Sequence, residues 1–325
     1  MRILKTKSDL KKIKKGCVLT IGNFDGLHIG HRAILAAAKK AAVKNKTKLV
    51  VMTFEPHPLA VLLRQKGPGI LTPLPLKKHL LAQFGVDYLF IVKTTRWLLS
   101  LSPLDFVHRF LLEHIQPGIV VEGESFNFGL NRAGDIHTLR SLAKNNGFDA
   151  ISVEAKEIKL FTGEVSKVSS TLIRDLLANG RVADAAIALG RPYCLIEKII
   201  SGKGKGKKLG FPTANMKPPP QLVPAEGVYA GFAEVANTFS KLLSANRRIP
   251  AAFSIGRPNL YGGRSSLLIE AHLLINNVGR LYDKWLAMDF IQRIRDQKKF
   301  KTDSALSAQI AKDCKKAKKI LSGRI

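Results

Sequence analysis

The sequence is short of cysteine, tryptophan and acidic residues. Its 325 residues include three cysteines, Cys17, Cys194 and Cys314, which lie too far apart along the chain to form a metal-binding knuckle. Their odd number suits a reducing compartment, so we expect free thiols and a cytoplasmic protein. No apolar run approaches the roughly 18 residues of a membrane-spanning helix, and residues 1–16 lack the apolar core of a signal peptide. We therefore expect no membrane partner.

The shortage of acidic residues leaves a strong positive charge. The 53 lysines and arginines exceed the 24 acidic residues, which gives a formal net charge of +29. Such a charge favours anionic partners, including phosphate metabolites and nucleic acid. The lysine runs at 11–15 and 315–319 contain no aromatic residue, unlike the surfaces that bind single strands. We expect no nucleic-acid partner, and a nucleic-acid-binding protein on an old enzyme scaffold stays open as an alternative.

The first half of the chain alternates between short apolar runs and helical patterns. This alternation predicts an α/β domain with a parallel sheet. The predicted strands are 17–22, 48–53, 87–92, 118–122 and 149–153, and the predicted helices are 31–44, 103–115 and about 136–146. Two more helices are predicted. The first is capped at Ser169-Ser170-Thr171, and the second runs from about Val182 to Leu189, just before a boundary at Gly190-Arg191-Pro192. We therefore predict a first domain over residues 1–189.

The second half of the chain separates its apolar runs in a different way. Its apolar runs, at 193–200, 228–235, 249–255 and 267–275, are separated by glycine, proline and asparagine rather than by helices. This pattern is typical of an antiparallel sheet or barrel. A helix at about 303–321 closes a second predicted domain over residues 190–325.

The first candidate site follows the first predicted strand, where residues 22–31 read GNFDGLHIGH. Ligands of open parallel sheets bind beyond the carboxyl ends of the strands, and we expect His31 to open the next helix there. The free N–H groups of a helix start suit a phosphate, and Gly26 and Gly30 allow close backbone approach. With His28 and His31 as further donors, the segment indicates AMP transfer from ATP. A core histidine or a metal-binding pair is the alternative.

Two other segments are predicted at the same sheet edge. Residues 53–58, TFEPHP, follow a buried strand, and residues 169–174, SSTLIR, begin a helix with an arginine in its first turn. Their hydroxyl groups and Arg174 suit phosphate oxygens. In the alternative interpretation, Ser169 or Ser170 serves only as a helix cap.

These segments, with GESFNFG at 123–129 between them, resemble the FMN adenylyltransferase module of prokaryotic bifunctional riboflavin kinase/FAD synthetases. The resemblance implies a Rossmann-like nucleotidylyltransferase fold in which His28 and His31 contact the ATP phosphates. It also implies a nucleotide or flavin site formed by Asn23, Asp25, Gly30, Ser125, Asn127, Ser169, Ser170, Thr171 and Arg174. The family usually has aspartate or asparagine where Ser125 stands.

The second candidate site begins at residues 202–210, GKGKGKKLG. The segment matches neither G-x-x-x-x-G-K-[ST] nor G-x-G-x-x-G, which excludes a Walker or Rossmann loop. Its glycines and lysines still suit a polyphosphate, with a solvated hairpin as the alternative. In the following FPTAN, Thr213 and Asn215 place two oxygen ligands for Mg²⁺ on one face of an extended segment.

With Glu270-Ala271-His272, this region resembles the riboflavin kinase module, a small β-barrel, over essentially residues 190–325. The resemblance implies that Thr213 and Asn215 hold Mg²⁺ and ATP and that Glu270 is the base for the ribityl hydroxyl. It assigns ATP binding to Gly202, Lys203, Lys205, Lys207, Gly210 and Pro212. Two departures are Lys207, where arginine is usual, and residues 254–261, which lack the usual threonine.

Together the two resemblances imply a bifunctional enzyme that phosphorylates riboflavin to FMN and adenylylates FMN to FAD. The expected partners are ATP, riboflavin, FMN and FAD, and the expected cofactor is Mg²⁺. A nucleotidylyltransferase that acts on another phosphate acceptor, with a weakened kinase domain, is the alternative. The sequence indicates no oligomeric state.

Overall fold

The computed structural model describes residues 1–62, 67–202, 204–244, 248–257, 267–276 and 279–323. Its residue contacts divide the chain into two units. The first comprises Met1–Lys159 with Val165–Ser170, and the second comprises Leu160–Glu164 with Thr171–Ile325. The predicted domain boundary between residues 189 and 190 stays a prediction.

The first unit is built on a sheet of six parallel strands in the order β1-β4-β3-β2-β5-β6. The strands are β1 (Arg2–Leu4), β2 (Val18–Ile21), β3 (Leu49–Glu55), β4 (Tyr88–Lys93), β5 (Ile119–Gly123) and β6 (Asp149–Val153). All five predicted strands are confirmed. The edge strand β1 is missing from the prediction because three residues are too short to show a period.

Both faces of this sheet are covered, which explains the continuous apolar runs of its central strands. Successive residues of β3 point to opposite faces, so Val51 packs in one buried cluster and Val50 and Met52 in another. The first cluster includes Leu35, and the second includes Phe106. The sheet is therefore the middle layer of a three-layer unit.

The helices of this part of the chain are α1 (Lys7–Leu10), α2 (Ile29–Lys44), α3 (Pro58–Leu62), α4 (Leu74–Gln83), α5 (Arg96–Leu99), α6 (Pro103–Asp105) and α7 (Ile136–Asn146). Helix α6 continues as a π-helix over Phe106–Leu112, and Leu130–Arg132 form a 3₁₀ turn. Ser102 caps α6 as predicted, through its side chain and the N–H of Asp105. The prediction that His31 opens α2 is wrong, because the helix begins at Ile29 and His28 is its N-cap.

A hairpin and two helices follow the sheet. The hairpin consists of β7 (Glu157–Lys159) and β8 (Val165–Lys167), and the helices are α8 (Ser170–Ala178) and α9 (Val182–Leu189). Both helices agree with their predicted positions. The hairpin is absent from the prediction because its strands are only three residues long.

The second unit contains a closed antiparallel barrel in the order β10-β13-β12-β11-β14-β9. Its strands are β9 (Tyr193–Ile200), β10 (Ala214–Met216), β11 (Gly227–Ala236), β12 (Ile249–Gly256), β13 (Leu268–Leu273) and β14 (Trp285–Arg295). Three helices accompany them, α10 (Lys205–Lys208), α11 (Phe239–Leu243) and α12 (Asp303–Leu321). The predicted barrel and terminal helix are confirmed, whereas β10 and β14 are additional strands.

The barrel interior is filled by aromatic rings. Tyr229, Phe253 and Phe290 are fully buried, and the ring of Phe290 lies 5.3 Å from that of Tyr229 and 5.1 Å from that of Phe253, measured between centroids. Helix α12 packs outside this barrel, where Arg295 of β14 makes a salt bridge of 2.6 Å with the buried Asp313. The rings hold strands β11, β12 and β14 together, and the ion pair holds α12 against β14.

None of the helices in the described ranges combines the length and the apolar character needed to cross a membrane.

Two candidate active sites

The first candidate site lies at the switch point of the parallel sheet. Strand β2 has β3 on one side and β5 on the other, because the chain runs from β2 through β3 to β4 in one direction and then returns past β2 to β5 and β6. Ligands of open α/β sheets bind in the crevice that this reversal opens beyond the carboxyl ends of the strands. The segment Asn23–His31 follows β2 and therefore occupies this crevice.

A buried carboxyl group replaces strand pairing between β2 and β5 at the crevice. Strands β2 and β5 pair only at Val18 with Ile119 and at Leu19 with Val120. Beyond these pairs the N–H of Ile21 donates to the carboxyl group of Glu122 instead of to a strand carbonyl. Burial raises the pKa of Glu122 well above its ordinary value, although the hydrogen bond from Ile21 opposes the shift. The ladder thus ends early without leaving a buried N–H unpaired.

The two histidines of the first motif stack on each other at the start of α2. Their ring centroids are 3.6 Å apart, and the planes differ by 17°. Nδ1 of His28 accepts a hydrogen bond from the backbone N–H of His31 at 3.3 Å. A neutral His28 therefore carries its proton on Nε2, which makes Nε2 the donor. A Cβ on Gly30 would lie 3.2 Å from the His28 ring, so this position favours glycine.

His31 is held in its neutral form. Burial lowers its pKa well below the ordinary value, and the nearby charges of His28 and Lys77 lower it further. Its Nδ1 atom is buried and has no hydrogen-bond partner among the described residues. A neutral imidazole with an unused polar atom suits a ligand that brings its own negative charge.

The carboxylate of Asp25 anchors the loop to a distant part of the same unit. It accepts hydrogen bonds from the N–H groups of Leu71 at 3.0 Å and Thr72 at 2.9 Å. The Thr72 hydroxyl in turn accepts from the N–H of Gly26 at 3.1 Å. These contacts fix the loop between β2 and α2 before any ligand binds.

The backbone carbonyl of Asn23 is held from two other elements. Nζ of Lys77, on α4, donates to it at 2.7 Å, and the hydroxyl of Thr53, on β3, donates at 3.3 Å. The side-chain oxygen of Asn23 is buried and has no hydrogen-bond partner in the described part of the chain. Asn23 therefore has a fixed backbone and an unused acceptor.

The serine-rich segment reaches the same loop. The Ser170 hydroxyl donates to the Asp25 carbonyl at 2.8 Å, although the two residues are far apart in sequence. Ser169 is its neighbour in the first unit, whereas Thr171 and Arg174 belong to the second unit. The roles of Thr171 and Arg174 at this site stay predictions.

Residues 123–129 follow β5 and complete the carboxyl edge. Ser125 is exposed, and the side-chain oxygen of Asn127 accepts a hydrogen bond from Arg132 at 2.7 Å. The rings of Phe126 and Phe128 stack with centroids 5.4 Å apart. The flavin-binding roles of Ser125 and Asn127 stay predictions.

The second candidate site lies on neighbouring strands of the barrel. Asn215 of β10 pairs in register with Glu270 of β13, and the Thr213 hydroxyl donates to Glu270 at 3.4 Å. Burial raises the pKa of the Glu270 carboxyl, and the bond from Thr213 opposes this shift. The structure thus brings together the three residues to which the resemblance assigns metal binding and proton removal.

The glycine-rich segment packs directly on these residues. A Cβ on Gly202 would lie 2.1 Å from Nδ2 of Asn215, and one on Gly206 would lie 2.5 Å from the Phe211 carbonyl oxygen. The segment forms the short helix α10 rather than the hairpin considered above. Lys207 is exposed, and so is Gly210 at the end of the segment. Lys203 and the side chain of Lys205 lie outside the described residues.

His272 holds the loop that precedes β10. Its Nδ1 atom lies 2.8 Å from the Pro212 carbonyl oxygen and donates to it. The His272 ring also meets Phe211 edge to face, with centroids 5.5 Å apart. Pro212 is therefore fixed through its carbonyl beside Thr213.

The structure describes residues 254–257 of the segment 254–261, whose sequence departs from the usual pattern of the riboflavin kinase module. Ser254 pairs in register with Glu270, and its hydroxyl accepts a hydrogen bond from Gln297 at 3.0 Å. Gln297 also donates to the Ile255 carbonyl at 2.9 Å. Residues 258–261 lie outside the described residues.

Comparison with known proteins identifies the family. A sequence model of the FAD synthetase family matches residues 10–172, and a model of the riboflavin kinase family matches residues 189–321. The bifunctional riboflavin kinase/FMN adenylyltransferase of Escherichia coli K12 is 36% identical over 301 residues, which cover 92% of this chain and 91% of that protein. The protein of the same name from Buchnera aphidicola subsp. Schizaphis graminum is 30% identical over 320 residues, which cover 98% of this chain and 98% of that protein. The chain belongs to this family.

The chain carries both activities of the family, riboflavin kinase and FMN adenylyltransferase, with ATP as co-substrate and with riboflavin, FMN and FAD as its other partners. The alternatives of another phosphate acceptor and of nucleic-acid binding are not favoured. A crystal structure described as a macrolide-efflux protein from Streptococcus pneumoniae has the same fold over nearly the full length. Its TM-score is 0.83 at 25% identity, with 98% of this chain and 99% of that chain covered.

Sequence reasoning missed three residues that support the loop between β2 and α2 and its entry, namely Thr72, Lys77 and Glu122. A signal existed for Lys77, which lies three residues after Leu74 and four before Leu81, on the face of α4 that packs in the core. When a charged residue falls at an apolar position of a helix, either the helical pattern has been assigned wrongly or the charged group is buried with a partner. No local pattern distinguishes Thr72 or Glu122 from ordinary loop and strand residues.

Proposed function

We propose that FMN is adenylylated at the loop from Asn23 to His31 and that riboflavin is phosphorylated beside Glu270. In this assignment, residues 1–189 form the adenylyltransferase domain and residues 190–325 the kinase domain. The observation that supports it best is that the two constellations lie in two different folds. His28 stacks on His31 at the edge of the parallel sheet, whereas Glu270 lies on the barrel.

In the kinase reaction, Glu270 takes the proton from the ribityl 5′-hydroxyl of riboflavin. The hydroxyl oxygen forms a bond to the γ-phosphorus of ATP, and ADP leaves. The raised pKa of Glu270 makes its ionised form a stronger base than an ordinary carboxylate. The bond from Thr213 fixes the direction of the carboxylate before the substrate binds.

The oxygen atoms of Thr213 and Asn215 suit Mg²⁺ by their chemistry. Mg²⁺ is usually bound through a few protein oxygens together with substrate phosphates. No cluster of three metal-binding histidine, cysteine or acidic residues occurs in the part of the chain that the structure describes. We therefore assign Mg²⁺ to these two residues together with ATP, where it would neutralise phosphate charge.

In the adenylyl transfer, a phosphate oxygen of FMN forms a bond to the α-phosphorus of ATP, and pyrophosphate leaves. No proton needs to be removed from the ionised FMN phosphate, so the site acts by position and charge. Nε2 of His28 and the free N–H groups at the start of α2 donate to the phosphate oxygens. Neutral His31 and the side-chain oxygen of Asn23 complete the set of polar groups in the crevice.

We also propose that the enzyme acts in the cytoplasm. Its three cysteines are all free, and Cys17 and Cys314 are buried. Burial raises the pKa of Cys17 to about 12 and that of Cys314 to about 11, so both remain thiols at neutral pH. Unpaired thiols are typical of a reducing compartment.

The assignment is tested with the full chain, riboflavin, ATP and Mg²⁺, followed by chromatographic separation of the flavins. The unchanged protein should give FMN and then FAD. His28→Ala should stop at FMN, whereas Asn215→Ala should phosphorylate riboflavin at a strongly reduced rate but convert added FMN to FAD at the unchanged rate.

A matched control for the histidine is His79→Ala, because His79 contacts the side chain of Gln83 on the surface of α4. This control should make FMN and FAD at the unchanged rates. FAD formation by His28→Ala at the unchanged rate would contradict the proposed adenylyltransferase site.

A further inference from the structure

Lys77 is a buried lysine beneath the adenylyltransferase loop. It is 6% exposed and lies on α4 between buried Leu76 and Leu81. Its ammonium group donates to the Asn23 carbonyl oxygen at 2.7 Å. Removing an ammonium group from water is costly, so this position must supply compensation or serve a function.

The surroundings of Lys77 compensate only in part for its burial. Burial lowers the pKa of Lys77, while the charges of Asp25 and Glu55 oppose that shift and favour the ammonium form. A methionine would fill a similar volume without a charge to desolvate. The position therefore does not require lysine for packing.

The same ammonium group acts on two residues of the loop between β2 and α2, Asn23 and His31. Through the Asn23 carbonyl it fixes the residue whose side-chain oxygen is buried without a partner in the described part of the chain. Its charge is also felt at His31, whose pKa it helps to lower. Thr53 donates to the same carbonyl at the longer distance of 3.3 Å, so it does not replace Lys77.

We propose that Lys77 is a positioning residue for FMN adenylylation, which holds Asn23 at the exit of β2 and places a positive charge under the phosphate-binding loop. This inference rests on the proposed assignment of adenylyl transfer to that loop. Negative charge grows on the phosphates as pyrophosphate leaves, so a fixed cation nearby acts more strongly on the transition state than on bound ATP.

The test uses the full chain carrying Lys77→Met, with Lys77→Arg as the conservative variant and Lys78→Met as the neighbouring control. For each protein we would measure kcat and KM for ATP in FMN adenylylation, the rate of riboflavin phosphorylation, and the unfolding temperature. The kinase reaction is an internal reference because it occurs on the barrel. His28→Ala, measured alongside, tests the assignment of the loop itself.

Lys77→Met should lower kcat for adenylylation by about 10- to 100-fold, the effect typical of supporting contacts behind a reactive group. KM for ATP should change less than kcat, because the lost interaction belongs to the transition state. Riboflavin phosphorylation and the unfolding temperature should not fall, since the methionine removes a desolvated charge. Lys77→Arg should recover part of the activity, and Lys78→Met should retain all of it.

Several results would overturn the inference. They are an unchanged adenylylation rate in Lys77→Met, a parallel loss of both activities with a lower unfolding temperature, failure of Lys77→Met to fold, and no recovery in Lys77→Arg. The second and third results would assign Lys77 a structural role. If instead His28→Ala retains FAD synthesis, the assignment of the loop fails, which is a separate conclusion.

Discussion

Gly202 offers the sharpest test of the kinase site, because its backbone touches a proposed metal ligand. A methyl group at this position would lie 2.1 Å from Nδ2 of Asn215. Ordinary contacts need about 3.5 Å, so in Gly202→Ala the Asn215 amide must move by about 1.4 Å. Gly202 does not have a positive φ, so the substitution introduces crowding without backbone strain.

A displacement of about 1 Å at a positioning group costs about 100-fold in rate. We therefore expect Gly202→Ala to phosphorylate riboflavin about 100-fold more slowly, while added FMN is converted to FAD at the unchanged rate. The assay follows FMN and FAD by chromatography. Because the amide can rotate away, the unfolding temperature should change little.

The double variant Gly202→Ala/Asn215→Ala shows whether the methyl group acts through Asn215. If it does, the double variant should be no slower than Asn215→Ala alone, because both changes remove the same ligand. Additive losses would show that Gly202 acts by another route. Full kinase activity in Gly202→Ala would refute the role of Asn215 altogether.

Two further predictions concern pH and stability. Because burial raises the pKa of Glu270 above 4.5, and because only the ionised carboxylate accepts the proton, riboflavin phosphorylation should lose activity on acidification at a pH above 4.5. A pH–rate profile with its acid limb at or below 4.5 would contradict the role of Glu270 as the base. Asp313→Ala should destabilise the protein by about 3–5 kcal/mol in denaturant unfolding, since it leaves the largely buried Arg295 unpaired. Lys12→Ala, at an exposed ion pair with Asp9, is the control and should leave the unfolding curve unchanged.

Patterns that repeat within one element were readable from the sequence. The five long parallel strands, helix α9 and helix α12 lie where periodicity placed them, because a buried strand or an amphipathic helix shows its burial in its own residues. Strands β1 and β10 were not predicted, since three residues have no measurable period. Strand β14 was not predicted because its apolar positions are interrupted by Asp289, Arg293 and Arg295.

The candidate sites were predictable to the extent that their residues are consecutive in sequence. His28 and His31 lie within one turn of α2, and Thr213 and Asn215 lie two residues apart. Contacts between distant segments could not be predicted from local sequence patterns, as the hydrogen bonds from the N–H groups of Leu71 and Thr72 to Asp25 illustrate. The resemblance implies that Asp25 belongs to the nucleotide site, but it does not show that the Asp25 carboxylate accepts hydrogen bonds from two backbone N–H groups.

The bond from Ser170 to the Asp25 carbonyl bears on the order in which the enzyme is made. The last strand of the parallel sheet ends at Val153, so a growing chain contains the whole sheet before Ser170 has been synthesised. The strands can pair once they have left the ribosome, while Ser170 is still inside it, and at that stage the loop that follows β2 lacks one of its hydrogen-bond donors. During synthesis, the architecture of the first unit is therefore available before its nucleotide loop is complete.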